Sequence, residues 1–179
     1  MAYWNTRGLR GNELEEWINR TNALYRQKGM GLVQKIPTPI KPIQIDKEKG
    51  VISLAYFEQK STVDYIGLIQ GIPICFDAKE TTRTALPLAN IHPHQVEFME
   101  DFISQGGEAF FIVFFKKYDT YFLFPFEDLK LFYEKAKEGG RKSIPYEAFD
   151  QRYTIAVEGG LYLNYIKTLN TYMLNQREK

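Results

Sequence analysis

Cysteine occurs once in the 179 residues, at Cys75, and histidine twice, at His92 and His94. A lone thiol excludes an intramolecular disulfide and any site built from several cysteines. Two histidines without cysteine partners or a third histidine exclude the usual zinc ligand sets. Within an apolar run, Cys75 is expected as a small core residue. No stretch reaches the roughly 18 uncharged apolar residues of a transmembrane helix. The opening Met1-Ala2-Tyr3-Trp4-Asn5-Thr6-Arg7 also lacks the apolar centre of a signal peptide. An intracellular, cytoplasmic protein without a membrane partner is therefore expected, and Asn19-Arg20-Thr21 is read as an accidental glycosylation pattern. A strong charge of one sign is missing too, the net charge being +1. Any nucleic-acid surface must then be a local basic patch, since the total does not supply one.

Aromatic residues, in contrast, are abundant, with 13 Phe and 12 Tyr. Such content suits a sheet covered on both faces. A chain of 179 residues is expected to form one domain spanning 1–179. Leu14, Trp17, Ile18, Leu24 and Tyr25 recur at helical spacing over 12–28, and Gly29 and Gly31 stop that helix. From Leu32 to Lys60 the chain reads as extended. Pro37, Pro39 and Pro42 alternate there with isoleucines, and proline is excluded from central strands, so the segment runs at an edge or projects. Asp46-Lys47-Glu48-Lys49-Gly50 reads as the tip of a long hairpin returning through Val51 to Phe57. Arg26, Lys28, Lys35, Lys41, Lys47, Lys49 and Lys60 outnumber Asp46, Glu48 and Glu58 in this region.

The stretch from Ser61 to Glu80 organises the rest. Two apolar runs meet at Gln70-Gly71, the pattern of a β-hairpin with a two-residue turn. Facing residues then have numbers summing to about 141, by the pairing rule for such turns. Asp64 faces Asp77 in a non-hydrogen-bonded pair, Thr62 faces Lys79, and all four share one side of the sheet. Two carboxylates so close repel unless a cation or shared proton lies between them. Mg²⁺ takes hard oxygen ligands of this kind, and a neighbouring lysine offsets charge on a phosphate, so the face reads as metal-dependent phosphodiester hydrolysis. A pair of strand-end acids, one salt-bridged to Lys79, is the alternative from spacing alone.

Asp64 followed by Asp77-Ala78-Lys79 resembles the signature of the restriction-endonuclease-like nuclease superfamily. The surrounding text is more specific. Ala55-Tyr56-Phe57, Ser61-Thr62-Val63-Asp64-Tyr65, Phe76-Asp77-Ala78-Lys79-Glu80-Thr81, Pro87-Leu88, His94-Gln95 and Gly140-Arg141-Lys142-Ser143-Ile144 resemble the RecU family of Holliday junction resolvases. Arg10-Gly11, Leu14-Glu15, Asn19 and Thr21-Asn22 are similar to that family's opening helix.

The resemblance implies an α/β fold with a central mixed β-sheet flanked by helices, and a stalk at about 35–57 that enters the centre of a four-way junction. It implies Mg²⁺, with Mn²⁺ as a substitute, at Thr62, Asp64, Asp77 and Gln95, and Lys79 as the transition-state-stabilising lysine, so that Asp64, Asp77 and Lys79 form the catalytic set. Four-way junction DNA is the implied substrate, a homodimer the implied assembly, and a recombinase or branch-migration helicase a further partner. Two departures stand out. Asp77 is one methylene shorter than the family's usual Glu, and the longer basic N-terminal extension of typical members is missing.

The remaining DNA contacts are assigned to Arg10, Lys35, Lys47, Lys49, Lys60, Arg83, Arg141 and Lys142. Residues 80–90 are expected as a polar loop and 95–104 as a helix with Val96, Met99, Phe102 and Ile103 inward. A buried strand is expected over 108–115, a second over 120–124, a helix carrying Leu129, Phe132 and Tyr133, and a last helix over 161–173. Gly139-Gly140-Arg141-Lys142-Ser143 fails as a phosphate-binding loop because its Lys-Ser does not follow the required glycine spacing. A junction-binding accessory module with little cleavage and a restriction-like duplex nuclease remain the alternatives to a resolvase.

Overall fold

The computed structural model describes residues 12–57 and 62–178. It is a mixed α/β structure whose five-stranded sheet has helices on both faces. In chain order the elements are α1 (Asn12–Gln27), β1 (Gly31–Lys35), β2 (Ile40–Asp46), β3 (Val51–Phe57), β4 (Tyr65–Ile69), β5 (Ile72–Thr81), β6 (Ala85–Pro87), α2 (Pro93–Ser104), β7 (Glu108–Phe115), β8 (Thr120–Pro125), α3 (Phe126–Lys137), β9 (Ser143–Pro145) and α4 (Tyr165–Arg177). The main sheet runs β1-β4-β5-β7-β8. Among the described strands only β5 and β7 are parallel, because α2 carries the chain across the sheet between them.

Alternation in β7 shows why the sheet is covered twice. Phe110, Ile112 and Phe114 pack with Leu14, Ile18 and Tyr25 of α1 and Tyr165, Ile166 and Leu169 of α4. Phe111, Val113 and Phe115 pack on the other face with Val96 and Met99 of α2 and Leu129 of α3. A strand buried on both faces reads as an unbroken apolar run, as 108–115 does.

The β4–β5 hairpin turns at Gln70 and Gly71, with φ of 50° and 86°. Positive φ at both turn positions matches the right-handed twist of the strands, and Gly71 meets it without a Cβ penalty. Its register runs from Ile69↔Ile72 to Tyr65↔Phe76. Gly67 serves the neighbouring pairing: a Cβ there would lie 2.5 Å from the Leu32 carbonyl oxygen. Only glycine lets β1 approach.

Two expectations are corrected. The stretch 80–90 is not a plain loop, because β5 continues to Thr81 and β6 pairs with β9. The last helix begins at Tyr165 instead of 161. Before it, the Leu163 N–H donates to Thr21 Oγ1 at 3.0 Å and the Asn164 N–H to the Ala156 carbonyl at 2.9 Å. Those backbone groups are satisfied by tertiary partners, so Leu161 and Leu163 are core residues without being helical.

Candidate metal-dependent nuclease site

The ladder of β4 and β5 stops at Tyr65↔Phe76, and side chains take over its bonds. The Asp64 N–H donates to Asp77 Oδ1 at 2.9 Å, and the Ala78 N–H donates to Asp64 Oδ2 at 3.0 Å. Each carboxylate therefore locks the opposite strand. On its other side the Asp64 carbonyl accepts the Ile36 N–H at 2.8 Å. The expected face-to-face pair of Thr62 with Lys79 is not a ladder pair, because the chain bends at Asp64 and Thr62 lies outside the strand.

Asp77 is fully buried, and its Oδ2 takes two further partners. Lys79 Nζ lies 2.5 Å away with 15% of its side chain exposed, and Gln95 Nε2 donates at 2.7 Å. Gln95 sits in the first turn of α2, where its Oε1 accepts the His92 N–H at 3.0 Å. Pro93 occupies the first helical position, where its missing N–H costs nothing. The acid pair is thus clamped between a hairpin and a helix start.

Burial first, and the charge of Asp77 second, push the Asp64 carboxyl up to about 7. Two facing carboxylates and one ammonium leave the cluster a net negative charge when both acids are ionised. A hard divalent cation fits this oxygen-rich donor set. Asp64 and Asp77 are the two acids available to hold it; among the described residues no group of three or more His, Cys, Asp or Glu side chains comes together. Glu15 is turned aside into an ion pair with Lys35.

The other sequence-assigned residues fall in separate places. Lys47 and Lys49 lie in the turn between β2 and β3, Lys49 at 3.4 Å from Asp46. β6 and β9 pair antiparallel with Pro87 facing Ser143, so Lys142 lies beside Leu88 past one end of this short ribbon and Arg83 precedes Ala85 past its other end, while Arg141 Nε donates to Ser143 Oγ at 3.1 Å. This pairing went unseen in the sequence because three-residue strands show no periodicity. Arg10 and Lys60 lie outside the described residues. His92 and His94 stack on each other with ring centroids 5.4 Å apart. The bond from the His92 N–H to Gln95 was not expected, although a Gln three positions after the capping residue of a helix is its signal in the sequence.

A family model described as "Recombination protein U" matches residues 9–171. The chain is 39% identical over 173 residues to "Holliday junction resolvase RecU" of Pediococcus pentosaceus, covering 94% of this chain and 86% of that protein. To the protein of the same name from Geobacillus sp. it is 42% identical over 142 residues, covering 77% and 71%. To that from Staphylococcus aureus it is 36% identical over 176 residues, covering 96% and 85%. A solved Holliday junction resolvase, Hjc of Archaeoglobus fulgidus, aligns with 66% of this chain and 75% of its own at 14% identity and a TM-score of 0.39, a likeness too loose to carry an inference.

Proposed function

The chain belongs to the recombination protein U family of Holliday junction resolvases, and we propose that it cuts four-way DNA at the Asp64–Asp77–Lys79 cluster. The observation that carries this reading is the interlock of the two acids across β4 and β5 with the Lys79 ammonium 2.5 Å from Asp77. Asp64 and Asp77 would hold Mg²⁺, or Mn²⁺ in its place. When bound, the cation supplies Lewis-acid charge to the phosphate. The chain's own groups do the rest. Asp77 fixes the Lys79 ammonium, and Lys79 offsets the negative charge that grows on the phosphate oxygens as water attacks. Thr62, two residues before Asp64, would add a further oxygen to the cation's ligands.

Selection of the branched substrate falls to the β2–β3 hairpin, acting as a projecting stalk of the single domain. Among the described residues it pairs with no strand of the main sheet, and Asp46 Oδ1 accepts the N–H groups of Glu48 and Lys49, both at 3.1 Å, which tightens the tip that carries Lys47 and Lys49. Arg83, Arg141 and Lys142 would hold phosphates of an arm beside the cutting site, with Arg10, Lys35 and Lys60 as further basic contacts. Symmetric resolution needs two cuts on opposing strands, which one cluster cannot make at once, so a two-fold homodimer is the working form. The large apolar side chains exposed along the hairpin, Ile43, Ile45 and Leu54 among them, favour a covered surface there.

The test is a synthetic four-way junction beside its linear duplex arms, incubated with protein and Mg²⁺ or Mn²⁺. Paired symmetric nicks in the junction are expected. Cutting of duplex alone would mark a restriction-like nuclease, and tight junction binding without product an accessory protein. A monomeric mass that persists on junction DNA in sedimentation would remove the dimer.

A further inference from the structure

We infer that Gln95 serves this site as a hydrogen-bond donor that positions Asp77, and that its side-chain oxygen is not a ligand of the cation. The inference rests on the proposed metal site at Asp64 and Asp77. Each neighbour of the amide has a fixed hydrogen-bonding capacity. The His92 backbone N–H can only donate, and it lies 3.0 Å from Gln95 Oε1. Both Asp77 oxygens act as acceptors, Oδ1 from the Asp64 N–H and Oδ2 toward the Lys79 ammonium, and that Oδ2 lies 2.7 Å from Gln95 Nε2. Gln95 is 7% exposed, so water cannot replace either partner freely.

Turning the amide by half a rotation would set its NH₂ against the His92 N–H and its oxygen against the Asp77 carboxylate. Two hydrogen bonds, one of them charge-assisted, would become two repulsive contacts in a buried place. The orientation is therefore dictated by the neighbours. An oxygen ligand would have to aim at the acids, whereas this oxygen is committed to the start of α2.

What the amide does there follows from the contacts of Asp77. Asp64 N–H and Lys79 both belong to the β4–β5 segment; Gln95 is the partner that reaches Asp77 from another element. It stops the carboxylate from rotating and ties that angle to the N-terminus of α2, with Pro93 fixing where the helix begins. Partners that orient a ligating carboxylate are typically worth about 10–100-fold in metal affinity.

The test is made on the whole protein without DNA, with Mg²⁺ alone as the probe. In ¹⁵N NMR, the His92 amide and the Gln95 side-chain NH₂ are expected to be protected from hydrogen exchange without metal and to stay protected when Mg²⁺ saturates. Loss of His92 protection on adding Mg²⁺ would mean that the oxygen has left the helix for the cation, and would overturn the inference. Two variants give an independent reading by calorimetry. Gln95→Glu keeps an oxygen for His92 and for a cation but cannot donate to ionised Asp77; Gln95→Met keeps neither. Both should fold and bind Mg²⁺ about 10–100-fold more weakly, and Gln95→Glu should melt below Gln95→Met at pH 8 without metal. Mg²⁺ binding by Gln95→Glu as tight as wild type or tighter would overturn the inference. If wild-type protein binds no Mg²⁺, the metal site fails instead. The metal-free exchange and melting data then decide the donor role alone, with exchange of the Gln95 NH₂ as fast as in an exposed amide being the contrary result.

Discussion

Two consecutive hairpins of this chain are built on opposite terms. β4–β5 turns through two residues, keeps one register throughout, and lies between β1 and β7. β2–β3 turns through Lys47–Gly50, slips register between Pro42 and Ile45, and among the described residues pairs only with itself. Its side chains from Ile40 to Phe57 are nearly all exposed. A strand held on both sides cannot shift without moving its whole buried face, which is what two carboxylates need if they are to stay in contact. An isolated two-stranded ribbon is marginal in water but free to reach away from the body. The first hairpin suits chemistry and the second suits the recognition of shape.

The largest expected effects come from breaking the first hairpin's charges. Asp77→Asn and Lys79→Ala should each slow junction cleavage by about 10²–10³-fold or more, while junction affinity stays near wild type. Affinity is assigned to basic groups elsewhere, so it does not depend on these two. Lys79→Ala leaves a buried carboxylate without its ammonium, and breaking a buried pair costs about 3–5 kcal/mol. The melting temperature should therefore be recorded beside the single-turnover rate. Wild-type cleavage by either folded variant would take that residue out of the mechanism.

Breaking the second hairpin should change which DNA is chosen. Replacement of Asp46-Lys47-Glu48-Lys49-Gly50 by a two-residue turn is expected to bring the affinities for four-way and duplex DNA together, with the unfolding transition of the body unchanged. The readout is the ratio of the two affinities at one salt concentration. A folded trimmed protein that keeps the wild-type ratio would reduce the ribbon to a cover for the sheet edge.

The difference between the hairpins also explains what could be read from the sequence. The turn at Gln70-Gly71 and the sum rule for facing residues hold as far as Tyr65↔Phe76, the last ladder pair, and Asp64 and Asp77 come next beyond it, joined by side-chain to backbone bonds in place of ladder bonds. The rule failed at Thr62 and Lys79, where carboxylates replace ladder bonds and the chain bends. Side-chain to backbone bonds of that kind leave no periodic trace. The apolar runs at 108–115 and 120–124 announced themselves because both faces of those strands are buried. β6 and β9 did not, being too short to show a pattern, and so their pairing, which sets Lys142 beside Leu88, came only from the fold. The start of α4 was misplaced because Leu161 and Leu163 keep a helix-like apolar spacing while Thr21 and Ala156 take their neighbours' backbone bonds.

A smaller effect sharpens the electrostatics of the first hairpin. The Asp64 carboxyl is lifted to about 7, chiefly by burial. A raised folded pKa means a contribution that is fully present below the ordinary carboxylate range and is lost as pH climbs through about 7. The metal-free protein should therefore lose stability between about pH 4 and pH 7, on the order of 4 kcal/mol from this group. Glu108, lifted by burial and by Glu127, pulls the same way, so the comparison must be with Asp64→Asn. That variant should melt higher than wild type at pH 8 and draw level near pH 4. Mg²⁺ should raise the wild-type melting temperature at pH 8 more than at pH 5 and leave the variant unmoved, while parallel curves for the two proteins would show that Asp64 titrates normally.

The smallest effects lie at the ribbon's tip and base, where three lysines differ in how far their charge is already spoken for. Lys47 has no ion-pair partner among the described residues, Lys49 stands 3.4 Å from Asp46, and Lys35 is joined to Glu15. A lysine that neutralises one phosphate contributes about 0.9 to the slope of log affinity against log salt on duplex DNA. An exposed lysine already near a carboxylate brings less net charge to the DNA. Lys47→Ala should then flatten the slope for junction binding by close to that amount, Lys49→Ala by less, and Lys35→Ala least of all. The order can be measured by titrating each variant against junction DNA at several salt concentrations. An equal loss in all three would mean that Asp46 and Glu15 release their partners when DNA arrives. No loss at Lys47 would place the tip away from every phosphate and leave branch recognition to the hairpin's apolar sides.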